Sequence, residues 1–397
     1  MTEYKILGQD TPEAGVETNS YSVPATKSAV VRAINVTNTS STSDTFDIAI
    51  NDSAIVPVAT PTFVAVARSS QVAASSTDGI TWTRGTLPYS ANWSVVTYGN
   101  GTFVSVVPSG QISAYSTDLL TWTYRALPVW GGWQSLTYGD GTFVAVASSS
   151  SNAATSTDGI TWTQRTLPVS ATWIPLTYGN GTFIVMGRDS QISATSTDGI
   201  TWTQRTMPVS AAWQFVTYAN GTFVTTTINS QIAATSTDGI TWTQGTLPVS
   251  GKWYGLAYGY GTFVAVANNI QTTALSTDGI TWTQGTLPVS AAWYSVTYGN
   301  GLFVAVASSS SNAATSTDGI TWTQRTLPVS VNWNSVTYGD PDIPDPITST
   351  DYLFKSHDIL GNETITIKGG YTMEENNTLR IKSTNGTSTF HAFGGEI

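Results

Sequence analysis

Apolar and polar residues alternate through this chain in short runs rich in β-branched and aromatic side chains. Gly, Asn, Ser and Asp break the runs, and no stretch carries the 3.6-residue period of an amphipathic helix. Ser94-Val95-Val96-Thr97-Tyr98 predicts a first strand, a, closed by a Gly99-Asn100-Gly101 turn. Thr102 to Val106 predicts strand b, Gln111 to Ser116 strand c, and Leu120-Thr121-Trp122-Thr123 strand d. Leu127-Pro128 is expected to stop strand d, because proline has no N–H to donate to a ladder. This set of four strands then recurs.

The recurrence is strict. Ser-Thr-Asp-(Gly/Leu)-(Ile/Leu)-Thr-Trp is centred on Asp78, Asp118, Asp158, Asp198, Asp238, Asp278 and Asp318, always 40 residues apart. A second Trp keeps step at Trp93, Trp133, Trp173, Trp213, Trp253, Trp293 and Trp333. Four short strands per 40 residues is what one propeller blade requires. The Asp marks the c–d hairpin: its carboxylate can accept local backbone N–H groups, and the Gly beside it tolerates positive φ. These seven Asp residues therefore read as structural turns, with the following Trp free to wedge between blades. The second Trp, present in every unit, reads as packed core, with a seven-fold sugar platform as the alternative. Thr62 to Val66 is a strand b with no strand a before it, and Trp333 to Tyr338 a strand a with no b after it. Pairing the two would close a ring and remove its free sheet edges. The expectation is an all-β chain with a seven-bladed propeller of four-stranded blades over 61–340.

The seven Asp motifs resemble the Asp-box repeats of bacterial neuraminidases and many other propellers, usually written Ser-x-Asp-x-Gly-x-Thr-Trp. The Asp-to-Trp spacing here is one residue shorter, so the match is to a variant. The resemblance covers residues 61–340 and implies a propeller. It leaves function open, because such repeats occur in hydrolases, lectins and scaffolds.

Residues 1–60 and 341–397 lie outside the repeat. Tyr21 to Pro24, Ala29 to Val36, Thr45 to Ile50, Thr364 to Lys368, Thr378 to Lys382 and Thr389 to Phe393 alternate as half-buried strands do. Ser53 to Pro61 and the proline-bearing stretch from Asp340 to Thr350 read as linkers. A ring that closes brings its entry and exit together, so the flanks are expected to form one β-sandwich anchor interrupted by the propeller. Two independent terminal modules are the alternative. Tyr4 to Gln9, Tyr21 to Pro24, Thr45 to Ile50 and Phe393-Gly394-Gly395-Glu396-Ile397 look like a small β module of tailed-phage structural proteins. There the middle and closing strands follow each other across a short loop, and here the repeat region sits in that loop. The resemblance implies a virion component assembled in the host cytoplasm, held to other virion proteins by its flanks, with the propeller exposed on the particle. Fibre-like virion modules are often trimeric, so a homotrimer is admitted.

Charge sharpens this picture. Residues 61–340 hold ten Asp and no Glu against eight Lys or Arg, a net of −2, and the flanks carry the remaining −8 of the total −10. An acidic chain without a basic patch argues against nucleic acid and anionic membranes as partners. With no Cys, neither disulfides nor thiol chemistry contribute. Met1 to Asp10 lacks the apolar stretch of a signal peptide, and no long apolar run predicts membrane insertion.

Catalytic chemistry finds little support. Without Glu in 61–340, the Tyr–Glu pair of a neuraminidase cannot be assembled there, and seven of the ten Asp are committed to turns, which also starves a two-carboxylate glycosidase. Arg125, Arg165, Arg205 and Arg325 occupy one repeat position and read as a spaced ring of solvated charges. The two histidines, His357 and His391, lie in the flanks, and no metal-ligand spacing or cofactor motif occurs. The expectation is no enzyme, no metal and no cofactor.

Binding is the stronger expectation. Strands alternate direction, so a–b and c–d turns share one end of each blade, and b–c and d–a connections share the other. The first end is nearly constant between units. The second varies, in b–c loops such as Arg68-Ser69-Ser70 and Arg188-Asp189-Ser190, and around the second Trp. Asn92, Trp130, Gln134, Phe215, Lys252, Tyr254, Tyr294 and Asn332 are the candidate glycan-binding residues, aromatics to stack on sugar faces and polar groups to meet hydroxyls. Neutral drift at exposed positions is the alternative origin of this variation. The function expected is a phage fibre or decoration protein that attaches to host-surface polysaccharide. A purely structural capsid or tail decoration protein is the alternative, and a glycan hydrolase a more distant one.

Overall fold

The computed structural model describes residues 62–119 and 121–339 in full, together with the backbone of the strands in both flanks. It divides into two units, Ala59–Pro346 and a second made of Met1–Val58 with Ile347–Ile397. The expected linkers, Ser53 to Pro61 and Asp340 to Thr350, lie outside the described residues, as do the side chains of His357 and His391.

In the repeat unit the alternating runs become antiparallel ladders. Val95–Gly99, Thr102–Val106, Ile112–Ser116 and Thr123–Ala126 pair in that order as one four-stranded sheet. The next two repeats do the same, from Gly132–Gly139 to Thr163–Ala171 and from Trp173–Gly179 to Thr203–Ala211. Beyond these, the outer strand of one ladder runs straight into the inner strand of the next. Thr243–Gly259 pairs with Thr222–Ser236 through Thr243 to Lys252, and with Thr262–Ser276 through Trp253 to Gly259. The remaining repeats are thus joined as an eleven-stranded sheet. Its strand Thr323–Gly339 ends against Thr62–Arg68, with Asn332 opposite Arg68 and Gly339 opposite Thr62, so the last repeat strand completes the first ladder.

Strand d differs from expectation. It begins one residue after the first Trp, which belongs to the turn, and in most repeats it runs through the Leu-Pro pair, as in Thr163–Ala171. Proline is tolerated because strand d is the outer strand and leaves the ladder at that point. Asn152 faces Thr166 and Ser150 faces Ala171, so residues 167–170 bulge past a single residue of strand c. The Leu of the pair turns inward: Leu87, Leu127, Leu167, Met207, Leu247, Leu287 and Leu327 are all buried. The b–c connections are likewise tighter than the loops expected. Most are sharp bends with one residue in the left-handed region, Ser69, Ser149, Asp189, Asn229, Asn269 or Ser309.

The core lies between ladders, not within them. One cluster joins Val64, Val66 and Leu87 of the first ladder to Trp93, Phe103 and Trp122 of the next. Another joins Val304 and Val306 to Phe63 and Trp333. All seven second Trp residues are fully buried. Six of the indoles satisfy themselves locally, as Trp173 Nε1 does by donating to Val169 O at 3.1 Å, whereas Trp213 Nε1 has no partner among the described residues.

In the flanking unit, strands from the two ends of the chain alternate in both of its sheets. One orders Lys5–Asp10, Ser388–Glu396, Ala29–Asn38 and Thr364–Met373, and the other Glu17–Ser22, Thr378–Ser383, Asp44–Asn51 and Tyr352–Ile359. Neither flank supplies two neighbouring strands of either sheet.

Candidate binding site

The Asp turns occupy the constant end of the repeat unit, and the Asp78, Asp198 and Asp238 carboxylates each bind their own turn through Oδ1. Asp78 Oδ1 accepts from Thr81 N at 2.7 Å, Ile80 N at 2.8 Å and Ser76 Oγ at 2.9 Å. Asp198 and Asp238 repeat the arrangement. Donation from the Thr81 backbone, opposed by partial burial and reinforced by the Ile80 N–H and Ser76, holds the Asp78 carboxyl at about 2. Gly159 shows why glycine follows: its φ is +71°, and a Cβ would lie 2.5 Å from Val104 Cγ2 of the preceding ladder. These carboxylates hold the turns.

The opposite end carries a cavity of about 150 Å³, where the inner strands of successive ladders begin. Six of the seven contribute from the same places, one to three residues after the buried Trp, so the wall is built from Ser94 and Val95, Gln134 to Leu136, Ile174 to Leu176, Gln214 to Val216, Tyr294 and Ser295, and Asn334 and Ser335. Arg68 joins them from the end of Thr62–Arg68. Hydrogen bonds stitch these strands together beneath the cavity. Val96 N donates to Ser335 Oγ at 3.2 Å, Val336 N to Ser295 Oγ at 3.1 Å, and Asn334 Nδ2 to Ser94 O.

The wall is mixed in character. Ile174, Pro175, Leu176, Phe215 and Val216 make one apolar stretch. Tyr294 belongs to the lining too and has two neighbours at its ring: the Tyr254 ring stacks on it at 4.4 Å and 17°, and Arg68 Cζ lies 5.7 Å from its centroid. Burial raises the Tyr294 hydroxyl above its ordinary pKa, with Arg68 pulling the other way, so it is a neutral donor at physiological pH. Two buried polar atoms of the lining have no partner among the described residues, Arg68 Nε and Gln214 Oε1. Such atoms are costly unless something meets them.

The candidates from sequence therefore separate. Gln134, Phe215 and Tyr294 line the cavity, and Tyr254 supports it by stacking. Asn92 and Asn332 instead brace b–c bends: Asn92 Oδ1 accepts from Ser69 Oγ at 2.8 Å and Ser69 N at 3.2 Å, and Asn332 Oδ1 from Ser309 Oγ at 2.8 Å. Trp130, 75% exposed, and Lys252, opposite Ile228 at a strand edge, are not among the lining residues. Gln214 and Asn334 are additional to the residues expected from sequence, and Arg68 enters from a varying b–c loop and not from the glycan-binding candidates. Gln214 and Asn334 follow the buried Trp directly, the position that reads Ser, Gln, Ile, Gln, Tyr, Tyr and Asn through the seven units, and that variation was the signal available.

The Arg ring is not a converging site. Arg165, Arg205 and Arg325 each donate through Nε to a Thr hydroxyl of the neighbouring strand c, at 3.0, 3.1 and 3.0 Å, and Arg125 packs over Tyr115 at 5.1 Å. Among the described residues, no group of three His, Asp or Glu side chains is placed to hold a metal ion.

No family model matches the chain, and no curated protein matches it in sequence. Among solved structures it is similar to streptogramin B lyase, with a TM-score of 0.56 at 10% identity, covering 85% of this chain and 98% of that one. It is also similar to a catalytically inactive virginiamycin B lyase from Staphylococcus aureus with quinupristin (TM-score 0.56, 13% identity, 73% of this chain and 94% of that one). A third likeness is to YCF48 bound to D1 peptide (TM-score 0.50, 13% identity, 71% and 96%). At these identities the likeness is one of fold, and the fold is a β-propeller.

Proposed function

We propose that residues 61–340 form a seven-bladed propeller of the Asp-box type, inserted into a β-sandwich made by residues 1–60 and 341–397, and that the protein is a phage virion component binding host-surface glycan. Seven Asp turns at a fixed spacing, with Asn332 to Gly339 paired onto Thr62 to Arg68, support the blade count and its closure. The interleaving of strands from both flanks supports insertion into one anchor. The particle assignment rests on the resemblance of the flanks to tailed-phage β modules. Virion proteins are then the partners of the flanks, a homotrimer is the assembly to look for, and the propeller is displayed outward.

The observation that carries the binding reading is the cavity. Gln134, Phe215 and Tyr294, chosen for sugar-binding chemistry, meet there with Arg68 and an apolar wall. Apolar surface combined with convergent polar groups is what a small-molecule site uses to hold and orient its ligand. We read binding, not catalysis, from the residues at hand. The Staphylococcus aureus lyase is catalytically inactive when one histidine is replaced by alanine, whereas both histidines of this chain, His357 and His391, fall outside residues 61–340.

Glycan arrays probed with the full chain, together with host adsorption of particles lacking residues 61–340, test the proposal. Binding to host envelope polysaccharide and lost adsorption are expected. Unchanged adsorption with weakened particles would instead favour the purely structural decoration role. Sugar released from host polysaccharide in a reducing-end assay would favour a hydrolase.

A further inference from the structure

Arg68 is the one charged side chain lining the cavity. It reaches the wall from the first repeat strand of the chain, while Tyr294, against which its guanidinium rests, belongs to a ladder near the other end. The ring stack of Tyr254 on Tyr294 fixes the surface beneath the guanidinium. No Asp or Glu lines the cavity to neutralise it, and Arg68 Nε has no hydrogen-bond partner among the described residues. Among the described residues, the acidic side chains of the repeat unit are not part of this lining. Seven of its Asp residues sit in c–d turns at the far end of the strands, and Asp189 is 3.7 Å from Arg188. A half-buried guanidinium that meets the Tyr294 ring and hydroxyl but no carboxylate of the lining is poised for an anion, and its planar fork matches a carboxylate.

The rest of the wall narrows the anion's chemistry. Ile174, Pro175 and Phe215 offer apolar surface, which small inorganic anions do not use and the C–H face of a pyranose does. Gln134 and Gln214 offer amide groups to ring hydroxyls, and Gln214 Oε1 is itself unpartnered. A cavity of about 150 Å³ is below the ~300 Å³ at the lower end of ordinary ligand pockets, so it suits one sugar ring held end-on and not a buried oligosaccharide.

We propose that this cavity is selective for a carboxylate-bearing sugar of the uronic-acid class, with Arg68 receiving the carboxylate and the Ile174–Pro175–Phe215 wall taking the opposite ring face. The proposal rests on the glycan-binding reading and specifies it. It explains why the only cation of the lining stands alone.

Titration of the full chain with D-glucuronate, D-glucose and acetate tests it, read by calorimetry or by saturation-transfer NMR. Glucuronate is expected to bind at least tenfold more tightly than either glucose or acetate. Arg68→Gln is expected to bring glucuronate down to the glucose level, while Arg68→Lys retains part of the preference. Gln214→Ala, away from the guanidinium, is expected to weaken both sugars with their ratio kept, which separates lost selectivity from lost folding. Equal binding of glucose and glucuronate overturns the acidic-sugar assignment and leaves glycan binding standing. Acetate binding as tightly as glucuronate overturns it in favour of a bare anion site. Binding of none of the three overturns this proposal, and glycan-array signal from the same preparation then shows whether glycan recognition survives elsewhere on the molecule.

Discussion

The Asp carboxylates are the residues on which pH acts most directly. Asp78 and Asp198 are held at about 2, against an ordinary 3.8, first by the N–H three residues on and then against a smaller burial penalty. Asp238 is held at about 2 by its Thr241 and Ile240 N–H groups. A carboxylate depressed on folding stabilises the fold fully above its unfolded pKa, and that contribution is lost as pH falls from near 3.8 towards 2. Melting temperature should therefore fall steeply across that window. Asp198→Asn should lower it at neutral pH by a few degrees, and the gap from wild type should close near the bottom of the window. A second residue-scale test concerns Tyr260, whose φ of +50° sits where most other repeats carry Asn. Its side chain is 70% exposed, so little packing would be lost. Tyr260→Asn should raise stability by about 1 kcal/mol in chemical denaturation, the cost of the left-handed region to a bulky residue. An unchanged or lower stability would mean that the edge-on contact of Tyr260 with Tyr298 matters more than backbone strain.

Strand d shows where reading of single elements succeeds and where it stops. The Asp turn, the strand b run and the buried second Trp were legible because each depends on local chemistry: carboxylate to N–H, alternation, and a large apolar ring. The Leu-Pro pair misled because its meaning depends on which strand is outermost, a tertiary fact. The bulge at residues 167–170 leaves the Pro168 side chain exposed and outside the ladder, while Leu167 beside it is buried. Pro168→Ala should then cost no more than about 1 kcal/mol, mainly through a freer unfolded chain. Trp173→Ala, a few residues on, should cost roughly 3–5 kcal/mol, because a fully buried indole between two ladders leaves a cavity. Urea denaturation of the two variants decides between these readings of the element. Comparable losses would mean that the proline does hold the strand end.

At the scale of the whole molecule, the site and the stability have the same origin. Arg68 and Tyr294 are far apart in sequence and meet because the last repeat strand pairs with the first. No local pattern could place them together, which is why the varied positions after the Trp were visible in sequence and the cavity was not. The pairing of Asn332 to Gly339 with Thr62 to Arg68 also buries Trp333 and Val336 against Phe63 and Val304. Removing it does more than delete one strand: it opens the hydrogen-bonding edge of Thr62–Arg68 and uncovers apolar surface on both sides of the break. A chain of residues 59–346 contains every strand of the repeat unit and should elute as a discrete species with one cooperative melt. The same chain ended at 331 should associate or precipitate, as an uncapped sheet edge does, and should lose glucuronate binding because Arg68 has lost the strand that positions it. Equal behaviour of the two on size exclusion, with equal melting, would mean that the seam between the ends of the repeat contributes nothing, and that the ladders hold one another without a closed circuit.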